Sequence, residues 1–414
     1  MTWPIEAVRA EFPALSRQVN GQPVVYLDGP GGSQMPQVVI EALANYWRQG
    51  SANTHGAFIT SQLTDRLIGE ARAAAADFLH AAPGATISFG ANMTSLSFAL
   101  ADAMAGTLGP GDEIVLTDLD HDGNVAPWLR IAKRVGATVR WAPMVAAGGS
   151  LDVDALLAMI GAKTRVVAVV GASNATGSVT PLGAIRQRTR EVGAKLVVDA
   201  VHWAPHLPVD CATLDPDFLL CSAYKFFGPH GVGILYAAEG AFQGLDPAHV
   251  RPQTDAPPEC IETGTKNHEG LAALVAAIDF IASWAPTTAS SRRERLTAAM
   301  LRIHAYEAEL FGQLWDGLGQ IDGLRRFGRA PDGGPRAPTV SFAVDSVTTP
   351  VLGRRLGDQG IFVSAGTFYA YNWDLRLEAE GGTGAVRLGL APYNTLAEVQ
   401  RVVSAIRDIV QQSR

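Results

Sequence analysis

The sequence predicts an α/β protein: a large domain built on a mostly parallel sheet covered by helices, then a smaller α+β domain at the C-terminal end. Three observations carry this. Between residues 86 and 236, short β-rich runs alternate with helical runs that end near glycine. Runs such as Val166-Val167-Ala168-Val169-Val170 are apolar without alternation, as expected where both faces of a sheet are buried. After residue 240 the alternation stops and longer helical stretches take over.

Taken in order, strands are expected over 86–89, 113–117, 138–142, 165–170, 195–199, 218–222 and 232–236. Helices are expected over 94–108, 124–135, 152–160 and 182–192. Leu108-Gly109-Pro110-Gly111-Asp112 is a stop-and-turn signal, and Gly193 closes another helix. The segment holding Pro247, Pro252, Pro257 and Pro258 reads as irregular. Helices follow near 268–284 and 290–318, then strands near 339–344 and 386–390, and a last helix over 396–411. This places a large domain at 21–285 and a small one at 286–414, joined by residues 1–20.

The chain has 414 residues, 47% hydrophobic and 18% charged, so it has the length and the balance to bury a sizeable core. Its net charge is −7, and no basic run breaks the scatter, so nucleic acid is not an expected partner. No run of 18 apolar residues occurs, so no spanning helix is expected. The start, Met1-Thr2-Trp3-Pro4-Ile5-Glu6, lacks the features of an export signal. Three cysteines, Cys211, Cys221 and Cys260, form no disulfide framework and no C-x-x-C pair, which fits a reducing cytoplasm.

In such sheets ligands bind beyond the carboxyl ends of the strands. Asp199 ends one expected strand, and Ser222-Ala223-Tyr224-Lys225-Phe226-Phe227-Gly228-Pro229 ends another. A carboxylate and a lysine thus share one sheet edge. The chain has only five lysines, so Lys225 stands among few candidates. Read singly, Asp199 is as well explained as a helix cap and Lys225 as a surface charge. Together they suit pyridoxal phosphate, which needs a lysine for its Schiff base and an acid for its pyridine nitrogen. Tyr224, Phe226 and Phe227 are candidates for the apolar setting that lowers a lysine's pKa. Ser222 stands where a hydroxyl reaches a phosphate.

Val198-Asp199-Ala200-Val201-His202 followed by Ser222-x-x-Lys225-x-x-Gly228-Pro229-x-Gly231-x-Gly233 resembles the class V aminotransferase family, in its cysteine-desulfurase-like branch. The similarity runs from Tyr26-Leu27-Asp28 to Arg387-x-x-x-Ala391-x-Tyr393-Asn394-Thr395. The resemblance implies a fold-type-I pyridoxal phosphate enzyme acting on a small amino acid, and a homodimer with sites at the subunit interface. It implies that Lys225 bears the cofactor and that Asp199 pairs with the pyridine nitrogen. His121 would stack on the ring and move protons. Asn174 would lie near the 3′-oxygen and the substrate carboxylate. Met93, Thr94 and Ser222 would lie at the phosphate, with free N–H groups at the helix start around Thr94. Thr265 would reach the phosphate of the other subunit. Arg387 would clamp the substrate carboxylate, and His55 would stand at the mouth of the site.

Two departures bear on the reaction. His202 replaces the branch's glutamine at the 3′-oxygen; it can hydrogen-bond but also titrate. Desulfurases also carry a loop cysteine that takes sulfur as a persulfide. The matching stretch here is Val363-Ser364-Ala365-Gly366-Thr367-Phe368-Tyr369-Ala370, and no cysteine occurs from 261 to 414. Ser364 takes the place of that loop's arginine. The expectation is therefore a lyase, with carbon–sulfur cleavage foremost, that forms no persulfide. Transamination and epimerisation start from the same carbanion and stand as alternatives, as does a non-catalytic protein of this fold.

Other chemistries are less well supported. Asp118, Asp120, His121 and Asp122 could make a metal cluster, but a polar loop explains them. His202 and His206 have HxxxH spacing, yet Pro205 lies between them and opposes a helix. His230 is near Lys225, where it reads equally as a phosphate contact or a turn residue. A nicotinamide enzyme would want G-x-G-x-x-G after the first strand, and none is present.

Overall fold

Seven of the predicted strands line up as one sheet. They are β1 Thr86–Gly90, β2 Glu113–Thr117, β3 Thr138–Ala142, β4 Thr164–Val170, β5 Lys195–Asp199, β6 Phe218–Ser222 and β7 Gly233–Ala237. The order across the sheet is β1-β7-β6-β5-β4-β2-β3. Only β7 runs antiparallel to its neighbours. The computed structural model describes residues 3–145, 149–286, 290–332, 334–379 and 384–414. Strands β5, β6 and β7 are almost wholly buried, because helices cover both faces of the sheet.

The helix expected at 94–108 is shorter, Met93–Ala103, followed by a 3-10 turn at Ala105–Thr107. Asn92 starts it by accepting from the Ser95 amide at 2.9 Å, and Ser95 returns a bond to Asn92. Gly233 lets this start approach the sheet, since a Cβ there would lie 2.5 Å from the Asn92 backbone. Among the described residues, the helices Ile5–Ala10, Gln37–Arg48, Ile59–Leu79, Thr349–Asp358 and Tyr371–Ala379 have no counterpart among those expected from the sequence. Cys211 is the first residue of a one-turn helix, because Asp210 caps it through the Thr213 amide.

A second sheet holds β8 Leu324–Phe327, β9 Thr339–Val344, β10 Ser364–Gly366 and β11 Ala385–Gly389. Its order is β8-β9-β11-β10, antiparallel throughout. The helix Arg292–Gly319 serves both sheets: Leu296, Met300 and Ile303 join the core of the first, Leu310, Phe311 and Leu314 that of the second. The expected boundary at 286 falls just before this helix. Near the N-terminus, Val8 and Phe12 pack in the first core, Val25 and Leu27 in the second. Val25–Tyr26 pairs in parallel with Ile361–Phe362, and this brings Asp28 beside β11. Among the described residues no helix is long and apolar enough to cross a membrane.

Candidate active site

The carboxyl ends of β2, β4, β5 and β6 open into a cleft of about 1090 Å³. Met93, Thr94, His121, Asn174, Asp199, His202, Ser222, Lys225 and Arg387 all line it. Nine of the eleven residues singled out in the sequence thus meet at one place. His55 and Thr265 do not line it; both are exposed on the surface of this chain.

Lys225 follows β6 in a 3-10 turn, and its Nζ donates to the Pro30 carbonyl and lies 4.7 Å from the Tyr224 ring centre. Burial and then the nearby Arg387 charge lower its pKa to about 7, although Asp28 and Asp199 pull the other way. Of the three aromatics expected to create this setting, only Tyr224 touches the amine. Phe226 packs on Phe78, and Phe227 packs among Phe12, Phe280 and Trp284, because both point into the core under the sheet. His230 stacks on Tyr224 with ring centres 4.9 Å apart. Gly231 sits at φ +81°, which keeps this loop tight.

Asp199 ends β5 and accepts the Val201 amide at 2.8 Å. Burial raises its pKa to about 6, against the pull of that bond and of Lys225. Burial, with Lys225 and Arg387 close by, lowers His121 to about 4, so its ring is neutral at pH 7. Its Nδ1 accepts the Gly123 amide at 2.9 Å, fixing the ring. Beneath it Asp120 is bound by Thr117 and Asn124, and burial drives its pKa up to about 8. Asp118 pairs with Arg376 at 2.7 Å. These carboxylates therefore brace the loop rather than face one point. His206 pairs with buried Glu307 at 2.9 Å, while His202 Nε2 lies 2.9 Å from Thr339 Oγ1.

The opposite wall comes from the second sheet. Arg387 is buried, and its Nη2 donates to Asp28 at 2.8 Å. Ser364 Oγ donates to the same Asp28 oxygen at 2.8 Å. Phe368 lies over the guanidinium, with 4.5 Å from its ring centre to Cζ. Asp28, Ser364, Phe368 and Tyr369 are contacts that the sequence reading gave no role. In the sequence Asp28 is only the start of the family pattern, and a lone acid in an N-terminal segment announces no partner 359 residues away.

The family described as Aminotransferase class-V matches residues 25–402.

The chain belongs to that family.

A probable cysteine desulfurase of Vibrio cholerae is 32% identical over 420 residues, covering 98% of each chain. A cysteine desulfurase of Yersinia pestis is 32% identical over 424 residues, covering 99% of each. The apo structure of a cysteine desulfurase from Thermococcus onnurineus NA1 has a TM-score of 0.88 at 28% identity, covering 100% of this chain and 99% of that one. The α/β architecture is therefore the fold-type-I architecture of these enzymes.

Pyridoxal phosphate is the cofactor that this family and these side chains call for. The donor set fits it: a buried lysine of lowered pKa for the aldehyde, and a buried carboxylate for the ring nitrogen. Asn174 Oδ1, His202 Nδ1 and Arg387 Nε are buried around the cleft without a partner among the described residues. At the helix start Ser222 Oγ accepts the Met93 amide at 2.9 Å and Asn92 takes that of Ser95, which leaves the Thr94 amide for an anion.

Proposed function

We propose that the protein is a pyridoxal phosphate-dependent lyase that expels sulfur from the β-carbon of a small amino acid and forms no protein persulfide. One observation carries this reading. Among the described residues the cleft has the lysine, carboxylate and arginine for Cα chemistry but no thiol. Cys211, Cys221 and Cys260 are 0%, 0% and 1% exposed, and none lines the cleft. Burial raises the pKa of all three, which disfavours the nucleophilic thiolate.

Bound here, pyridoxal phosphate would supply the electron sink for the pair left at Cα when its proton departs. Lys225 Nζ takes that proton; an amine whose pKa is near 7 is half neutral there and ready as a base. Asp199, ionised above about pH 6, holds a cationic partner in place. Arg387 grips the substrate carboxylate and so fixes which bond at Cα faces the lysine. Asp28 and Ser364 hold that guanidinium. Asn174 and neutral His121 flank the same space. The Cα–H and Cβ–S bonds break, sulfur leaves with its bonding pair, and hydrolysis of the remainder gives a keto acid and ammonia.

The test is a product panel on the holoenzyme with cysteine, cystine, S-alkylcysteines and alanine. Keto acid equal to the thiol or sulfide released supports elimination. Alanine, formed with a persulfide on the protein, overturns it.

The active form is a homodimer in this reading. Trp47, Phe58 and Ile59 are large and exposed, and Phe58 and Ile59 follow His55 closely along the chain. Tyr46, next to Trp47, reaches His268, three residues from Thr265. A dimer across this face would cover the apolar patch and bring Thr265 to a neighbour's cleft. Light scattering on active protein tests it, and a fully active monomer refutes it. Unpaired thiols support a reducing cytoplasm as its place of work.

A further inference from the structure

We propose that Tyr369 is a catalytic residue: its phenol gives the leaving sulfur its proton. The inference rests on the elimination reading above and names the group that completes it. Expulsion of an alkyl thiolate is accelerated by an acid on the leaving-group side of the cleft. Tyr369 lines that cleft, and its ring centre lies 5.7 Å from that of His121, tilted by 32°. The residue is 74% exposed, and its phenol takes no hydrogen bond from the described residues.

Its backbone, by contrast, is held from across the cleft. The Tyr369 carbonyl accepts the Asp122 amide at 2.7 Å, and the Phe368 carbonyl accepts Asn174 Nδ2 at 2.9 Å. Phe368 and Tyr369 both sit at φ +57°, where side-chain-bearing residues are uncommon. Two such residues in succession cost backbone energy, and the cleft bonds offset it. The result is a fixed main chain presenting a free phenol. With Phe368 over Arg387, a substrate whose carboxylate is on Arg387 has its side chain beside this loop.

The other candidates serve less well. His121 is neutral at pH 7 and accepts a bond at Nδ1. The Tyr224 ring packs against the Lys225 amine and stacks on His230. In the proposed step the pair left at Cα forms a Cα=Cβ double bond as the Cβ–S bond breaks, sulfur keeps the pair of the broken bond, and the proton moves from Tyr369 Oη to sulfur. Solvent then reprotonates the phenolate.

Tyr369→Phe in the holoenzyme tests this with two substrate series. S-alkylcysteines, whose thiolates need the proton, should slow about 100-fold. S-arylcysteines with electron-poor rings, whose thiolates leave unaided, should be nearly unaffected. Two further readouts should not move: exchange of the alanine Cα hydrogen in D2O, followed by NMR, and the shift of the visible cofactor band on binding alanine. Equal slowing of both series, or of neither, overturns the role of Tyr369. Cα exchange in the wild type with no thiol from any substrate would instead sink the elimination reading itself.

Discussion

The two walls of the cleft differ in origin. One is made by strand ends of the seven-stranded sheet and carries Asp199, Ser222, Lys225 and, on short loops, His121 and Asn174. The other comes from the four-stranded sheet and its loop and carries Ser364, Phe368, Tyr369 and Arg387. The first is fixed by backbone geometry: buried strands, a capped helix and a glycine approach that no side chain tolerates. The second is fixed by side chains that reach between distant segments, as in the Asp28–Arg387–Ser364 cluster. In the function proposed above, the first wall serves the Cα chemistry, while the second holds the substrate carboxylate and faces its side chain.

Lys225→Ala should break the first wall outright. Borohydride should no longer fix cofactor to the protein, and turnover should vanish; a reducible attachment at another lysine would refute the assignment. Asp199→Ala should keep bound cofactor but lose about 2–4 kcal/mol of transition-state stabilisation, roughly 30- to 1000-fold in rate. Unchanged turnover would remove its electronic role. On the second wall, Arg387→Lys should mainly raise KM, by about 30-fold for a loss of about 2 kcal/mol, since lysine cannot make the paired contact. If kcat falls and KM holds, Arg387 does not bind the carboxylate.

The pH dependence of cofactor uptake sharpens the same division. Attack on the aldehyde needs a neutral amine. With Lys225 lowered to about 7, uptake by apoenzyme should plateau above that pH and fall about tenfold per unit below it. A limb near the ordinary lysine value would show that burial does not control the amine. The smallest effect should come from replacing Cys211, Cys221 and Cys260 together by alanine. Activity should persist, with stability lower by about 1 kcal/mol per site. A thiol required for turnover, detected as a substrate-dependent persulfide by mass spectrometry, would return the chemistry to the desulfurases.

Much of the first wall was legible in the sequence because period and punctuation act locally. The strands 113–117, 138–142, 195–199 and 218–222 have the bounds expected of them. Helix Ile59–Leu79 is not legible in the sequence because Ser61, Thr64, Ala71, Ala74 and Ala75 make up most of its buried face, which gives a weak apolar stripe. Phe226 and Phe227 were assigned to the amine's surroundings because they adjoin it in sequence. A turn after β6 sends their rings into the core instead.

By itself the sequence determined the alternating sheet, the strand-end positions of Asp199 and Lys225, and the lack of a cysteine in the 363–370 loop. These follow from residue type and near neighbours, through burial of apolar strands and the conformational freedom of glycine. Only the tertiary structure decided that Asp28 holds Arg387, that Asn174 and Asp122 pin the Phe368–Tyr369 backbone, and that Lys225 is dry enough to bring its pKa to about 7. Each depends on groups from separate segments meeting where water is excluded, and no local pattern records such a meeting.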